Sequence, residues 1–491
     1  MRPLRLCPPV ALLGIVMLLL GGCMVGPKYQ KPSVPMTPAF KEPPPDSFKE
    51  SDDWKKSHPD SAALRGNWWE IFGDPRLNGL EEQVTVSNQD LKMAEARFRQ
   101  ARTMVRYNRA AEFPTISVGP NIESLRYSPN QPYFPSNVGT SARGEFTLPF
   151  DLSYEVDLWG RIRRTVTAAG EEAQATAADL ETARLSLHAE LSVDYFELRS
   201  ADAQQQLLNA TVDQYADNVK LTTALLEGGA SPESDLIQAK TQLDTARVQD
   251  TDIGVMRAQY EHAIAILIGK PPAEFSLVAE PLNLQPPVIP VGVPSQLLER
   301  RPDIAANERR VGEANEGIGI ARAAYFPNLV LSATGGLEGN SIANWFAWPS
   351  RFWAVGPAML ETIFDGGRRR ATSEGALANY DATVANYRQT TLVAFQEVED
   401  NLAALRILER EAGQQKEAVA EAQRGVEIFT NRYVLGADPY LQVVSAETIA
   451  LANERNDVDI LRRRMDASVL LIKALGGGWD VNKLPQISSM R

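Results

Sequence analysis

The most regular stretch of the chain is "EFTLPFDLSYEVDLW". Phe146, Leu148, Phe150, Leu152, Tyr154, Val156 and Leu158 lie on one side of an alternating pattern, and Thr147, Asp151, Ser153, Glu155 and Asp157 on the other. Seven apolar residues at a strict period of two predict a β-strand with one face in oil and one in water. The span 146–158 exceeds the usual strand of a globular protein and suits a tilted membrane-crossing strand. "TISVGPNI" and "NLVLSATGGLEG" repeat the alternation less cleanly. In "RFWAVGPAMLETIF" apolar residues occupy both faces, so the pattern leaves its orientation open. Trp345, Phe346, Trp348, Phe352 and Trp353 gather at its start, as in an interfacial aromatic girdle; a soluble aromatic core is the other reading. The pattern predicts four strands in two hairpins, 113–128 with 142–158 and 326–340 with 351–365. Four strands cannot close around a pore, and an open edge in lipid leaves backbone groups unpaired at several kcal/mol each. Strands of this kind in a membrane therefore need further copies of the chain.

The period changes to that of helices after each hairpin. Residues 161–227 hold no proline and one glycine, Gly170, and 368–435 again hold no proline. Each run spans about 100 Å if continuous. Leu377, Val384, Thr391, Val398 and Leu405 recur every seven residues, with Tyr380, Tyr387 and Ala394 as a companion row that slips after 394. That is a coiled-coil seam. Both runs end at glycine and restart after proline, which suits a helical hairpin.

The chain is also duplicated. Gly229 matches Gly436, Ala230 matches Ala437, Pro232 matches Pro439 and Ala239 matches Ala446, all at an offset of 207. The same offset relates Gly160-Arg161 to Gly367-Arg368 and Gly269 to Gly476. One constant offset over so long a stretch implies two copies of one supersecondary unit. The first copy is predicted over 66–269, with its helical tip at 227–232. The second covers 294–476, with its tip at 435–439. Residues 270–293 link them, and 477–491 form a C-terminal tail.

Composition adds an address. Arg2 and Arg5 precede an uninterrupted apolar run, Val10 to Leu20, too short to span a membrane and suited to a signal peptide over 1–22. Cys7 lies inside it, so Cys23 alone remains and no intramolecular disulfide is expected. Leu20-Gly21-Gly22-Cys23 resembles the bacterial lipobox, in which the cysteine carries lipid. Met24 stands where lipoproteins retained at the inner membrane usually have Asp, which favours the outer membrane. Residues 23–65 follow as a proline-rich, extended linker. The net charge of −12 argues against nucleic-acid binding. His58, His188 and His262 lack metal-ligand spacing. "FDGGRRR" lacks the spacing of a phosphate loop and reads as a strand-to-helix corner. No enzyme, metal or cofactor is expected beyond the lipid on Cys23.

Several motifs run nearly end to end: "GPKYQKP" after Cys23, "WWEIFGDPRLNGL", "YEVDLWGRIRR", "ERRPDI", "AAYFPNLVLSATGG", "FDGGRRRA" and the two Gly-x-x-Pro tips. Together they resemble the TolC family of outer-membrane efflux channels, in its lipoprotein (NodT-like) branch. The resemblance implies an α+β membrane protein and a homotrimer. Four strands per protomer would form a twelve-stranded barrel, and long helices a periplasmic α-barrel. An equatorial domain would include 190–225 and the tail. It implies a passive exit duct for a tripartite pump, with a periplasmic adaptor and a proton-driven inner-membrane transporter as partners. Adaptor contact falls on Gly228, Gly229, Ala230, Ser231 and Pro232, and on Gly436, Ala437, Asp438 and Pro439. The periplasmic gate falls on Asp235, Leu441, Gln442, Val443, Val444 and Ser445. Three copies of Asp235 are expected to form a carboxylate ring. Gln442 and Ser445 depart from the family's aspartates, so closure is expected to rest on packing around Leu441, Val443 and Val444. A type I protein secretion duct and a periplasmic coiled-coil lipoprotein are the alternatives.

Overall fold

The computed structural model describes residues 24–49, 66–130, 141–292 and 294–490. The predicted signal peptide, Cys23 and His58 lie outside them. Two helices, α1 (Pro75–Ser87) and α2 (Gln89–Arg109), precede β1 (Thr115–Val118), β2 (Asn121–Leu125) and β3 (Arg143–Val156). The hairpin of α3 (Arg161–Glu227) and α4 (Glu233–Leu267) follows. The second half runs α5 (Pro302–Ala323), β4 (Asn328–Gly339), β5 (Arg351–Leu360), α6 (Arg368–Val434) and α7 (Tyr440–Ala474).

The strands form one sheet rather than two separate hairpins. β3 pairs antiparallel with β4 from Phe146 opposite Gly339 to Val156 opposite Leu329, which joins the two repeats. β5 pairs with β4, while β1 and β2 share the other side of β3. The first predicted strand is split at Gly119: its N–H reaches Pro149 O at 3.4 Å, but Pro149 has no N–H to return, and the ladder resumes at Asn121 opposite Thr147. The fourth stops at Leu360 instead of running to 365, because Asp365 is drawn into the helix corner. Its carboxylate accepts from the backbone N–H groups of Gly367 at 3.0 Å and Arg369 at 3.1 Å.

Register assigns the faces. Ile116, Val118 and Ile122 stand opposite Leu152, Phe150 and Phe146. Leu331 lies opposite Tyr154, and Val355 and Met359 stand opposite Ala333 and Leu329. The ambiguous strand thereby turns Trp353, Val355, Pro357 and Met359 to the apolar side, and Ala354, Gly356 and Ala358 to the side of Ser332 and Thr334. Ile116, Ile122, Phe150, Trp353, Val355 and Met359 are all exposed, so this face is a broad apolar band with no cover of its own. Among the aromatic cluster, Trp345 is buried against Phe146, with ring centroids 5.5 Å apart, while Phe346, Trp348 and Trp353 are exposed.

α3 and α6 are each 67 residues without a break. Alongside them the shorter helices stack end to end. Asn88 Nδ2 donates to Leu267 O at 2.8 Å, joining α4 to α2, and Arg301 Nη1 donates to Ala474 O at 3.0 Å, joining α7 to α5. Four rods result: α2/α4, α3, α5/α7 and α6. α3 packs against α2, α4, α5 and α7, whereas α6 packs mainly against the α5/α7 rod. The two outer rods carry exposed apolar residues, among them Tyr107, Val248, Val255 and Ile266 on one and Leu377, Leu392 and Ile407 on the other; α3 carries none. The seam of α6 buries Val384, Tyr387, Thr391, Ala394, Val398 and Leu405, and after the slip Leu402 and Leu408. Leu377 is the exception, at 51% exposed.

A belt wraps the middle. Residues 190–225 continue α3 unbroken, and only their first part, with Leu191, Tyr195, Phe196 and Leu198, packs into the belt. Trp68, Phe72, Tyr195 and Phe196 form its core with Leu282, Ile289 and Val291 of the inter-repeat segment. The N-terminal strap descends α5 and α6: Val25 N–H donates to Trp159 O at 3.0 Å, Tyr29 OH to Glu308 Oε1 at 2.8 Å, and Lys41 N–H to Glu399 Oε1 at 2.7 Å. The tail starts against the belt, with Gly477 beside Trp68, and leaves it along α3, where Trp479 packs on Ala178 and Ile487 fills the gap left by Gly170.

Candidate functional site: the tips of the helical hairpins

The two tips have the same backbone. Gly229 and Gly436 adopt φ of +72° and +71°, which a side chain at these positions would resist. Gly229 N–H reaches Leu226 O at 3.0 Å and Ala230 N–H reaches Leu225 O at 2.8 Å; Gly436 and Ala437 repeat this on Tyr433 and Arg432. These paired bonds satisfy the carbonyls left free at a helix end. Pro232 and Pro439 then cap α4 and α7 in extended conformation. The side chains differ. Arg432 donates from Nε to Asp438 Oδ2 at 2.5 Å and from Nη2 to Oδ1 at 3.0 Å, a bidentate pair that spans the second tip and holds the Asp438 carboxyl below its ordinary range. The first tip has Leu225 and Ser231 at those positions.

Asp235 does not present an open carboxylate for a ring. It is buried, accepting from Ser231 Oγ at 2.8 Å and Tyr433 OH at 3.3 Å, so it bonds the first tip to the second within one protomer. The reason is packing: Tyr433 and Tyr440, with centroids 5.1 Å apart, close over Ala239 and Val443. Of the other gate candidates, Val443 is buried in this cluster, and Val444 lies partly buried at its edge. Leu441, Gln442 and Ser445 face outward, and Ser445 Oγ bonds Leu441 O at 2.8 Å.

Two further groups are not singled out by the tip motif. Tyr433 and Tyr440 form the floor of the cluster. Glu447, behind them on α7, is buried and accepts from Asn218, Gln214 and Gln242. Burial pushes its carboxyl above the ordinary value, against the pull of those amides. Tyr440, Val443, Glu447 and Ala450 form a stripe at helical spacing, so a lone acid within an apolar stripe was the available signal. At the other end of the rods, Asp157 caps α3 by accepting from Ile162 and Arg163 N–H groups at 3.2 and 2.9 Å, as Asp365 caps α6. Among the described residues no cluster of His, Cys, Asp and Glu is placed to hold a metal, and no helix is long and apolar enough to cross a membrane. His188 is buried in the belt, bonded to Glu81 at 2.6 Å and stacked on Trp69.

An apolar-faced sheet continuous with rods of about 100 Å defines a channel protomer of the TolC type, and the comparisons agree. The profile of the outer membrane efflux protein family matches residues 80–270 and 293–477, so the chain belongs to that family. Among its relatives is the toluene efflux pump outer membrane protein TtgF of Pseudomonas putida, 31% identical over 94% of this chain and 95% of that one. The pyoverdine export outer membrane protein OpmQ of Pseudomonas aeruginosa is 30% identical over 86% of this chain and 90% of its own length. The solved outer-membrane channel OprN superposes with a TM-score of 0.83 at 28% identity, covering 93% of this chain and all of that one. The chain is an outer-membrane efflux component, of a family of transport channels rather than enzymes.

Proposed function

We propose that three copies of this chain close into one duct, with a twelve-stranded barrel in the outer membrane and a helical tunnel in the periplasm. The observation that carries this reading is the pair of open sides. Among the described residues β1 and β2 pair only with β3, and β5 only with β4, so the sheet has two unpaired edges. In lipid such edges are too costly to leave open, and the exposed apolar residues on the two outer rods need cover at the same time. A second copy satisfies both, and cyclic repetition closes the ring.

In this assembly the tips at 228–232 and 436–439 face the periplasm and take the helices of an adaptor, which bridges to a proton-driven inner-membrane transporter. Their glycines allow close approach, and Arg432–Asp438 fixes one tip of each pair. The gate rests on packing of Tyr433, Tyr440 and Val443 rather than on a ring of acids. Cys23 carries lipid at the periplasmic leaflet. The relatives named for toluene and pyoverdine support small molecules, rather than folded proteins, as cargo. Purified protein in planar bilayers is expected to run as a trimer and to conduct in discrete steps. Monomers that carry no current under any condition would overturn the reading.

A further inference from the structure

Glu447 is 3% exposed. One carboxylate oxygen accepts from Asn218 Nδ2 at 2.7 Å and Gln214 Nε2 at 3.1 Å, and the other accepts from Gln242 Nε2 at 3.0 Å. The first two donors belong to α3 and the third to α4, so one side chain of the second hairpin is held by both helices of the first. Among the described residues no lysine or arginine pairs with it, and the neighbouring Asp217, Lys240 and Asp244 are exposed. What faces it is Tyr215 from α3, Tyr440 and Glu454 from α7 and, across a cavity of about 230 Å³, Gln423 from α6. The network is not part of the duplicated design. At the offset of 207, its members correspond to Glu421, Gly425, Ile449 and Lys240, which cannot build it.

We propose that Glu447 is a positioning residue of the periplasmic mouth: its amide cage holds α7 against the first hairpin, and hydration of the caged carboxylate favours their separation. This rests on the reading of the tips as the mouth of the duct. A buried carboxylate with three neutral donors and no cation is dearly desolvated, and although it borders the cavity toward Gln423 it regains full hydration only if α7 moves away from α3 and α4. In the packed arrangement burial raises the carboxyl above its ordinary value of 4.5; in a separated one water restores that value. The packed arrangement therefore binds the proton more tightly. Acid favours packing, and rising pH favours separation from the ordinary carboxylate range upward. Gln242 Oε1 has no partner, so a flip of this amide would let it accept the proton of the protonated form.

The test is the conductance of the reconstituted channel across mildly acidic to mildly alkaline pH, with trimers verified by sizing. In the wild type, conductance should rise with pH. Glu447→Gln should lose that dependence and conduct no more than the wild type in acid. Asn218→Leu, which removes one donor to the charged form, should enlarge the dependence. A wild-type slope retained in Glu447→Gln, or higher conductance of that variant at every pH, would overturn the proposal. Where Glu447→Gln does not assemble, an unchanged slope in Asn218→Leu overturns it. A wild-type trimer that never conducts overturns the duct reading and the latch with it.

Discussion

At the scale of single residues, the tips separate backbone from side-chain roles. The Gly-x-x-Pro spacing is legible in the sequence because φ near +70° at Gly229 and Gly436 and a proline at each following cap are local requirements. The role of Asp235 is not local. Its Oδ2 accepts from Ser231, four residues before it, and from Tyr433, from the other repeat. An acidic residue near a helix start looks like a solvated charge until the neighbour that covers it is known. Asp235→Ala leaves the Ser231 and Tyr433 hydroxyls without this acceptor, a cost of about 1–3 kcal/mol, whereas Tyr433→Phe removes one longer bond at about 1 kcal/mol. Hydrogen exchange of the amides around 225–236 should therefore speed up more in the first variant than in the second, with the rest of the helices unchanged. Equal protection in both variants would mean that the carboxylate does not hold the tips together.

At the scale of elements, the helices were the most legible part. The ends of α3 and α6 fall at glycine on both sides, and nothing between them interrupts the hydrogen-bond ladder, so both lengths follow from the sequence. β3 was equally plain, because a strict period of two admits one orientation. β5 was not. Its residues are apolar on both faces, and only its pairing with β4 places Val355 beside Ala333 on the apolar side of the sheet and Ala354 beside Thr334 on the other. This assignment makes a sharp prediction. If the apolar side faces lipid in the proposed barrel, Val355→Lys places a charge there, at about 2–4 kcal/mol near the bilayer midplane. Ala354→Lys, one residue away, should cost far less. The heat-modifiable folded fraction recovered from membranes should fall for the first variant and stay near wild type for the second. The reverse order would place the barrel's outside on the other face.

At the scale of the whole molecule, the N-terminal strap bears on the role proposed for Cys23. The residues directly after it are fixed by protein contacts: Met24 lies against Gly160, and Gly26 sits over Gly319. Arg164, bonded to Glu316 at 2.6 Å, also reaches Pro27 O at 3.3 Å. The proline-rich linker was expected to be extended; its described residues 24–45 form no helix or strand and Asp46–Lys49 make a short helix, and that this stretch lies bound along α5 and α6 was not legible, because its partners stand up to 364 residues away. A strap held in this way docks without lipid. Cys23→Ser, exported with a different cleavable signal, should still yield conducting trimers on sizing and in bilayers, at lower yield. Normal secretion with complete loss of trimers would make the anchor essential to assembly.

The sequence by itself determined whatever depends on near neighbours along the chain: the alternating strand, the two long helices, their glycine–proline turns, and the duplication, which is a comparison of the chain with itself. The tertiary structure decided what depends on residues brought together from a distance. It joined the two hairpins into one sheet, stacked α4 on α2 and α7 on α5 into continuous rods, turned β5 to one face, buried Asp235 and enclosed Glu447. The physical reason is the same throughout. Backbone preference and hydrophobic period act within a few residues, whereas burial and hydrogen-bond satisfaction are properties of the packed neighbourhood, and in a duplicated chain the decisive neighbour usually belongs to the other copy.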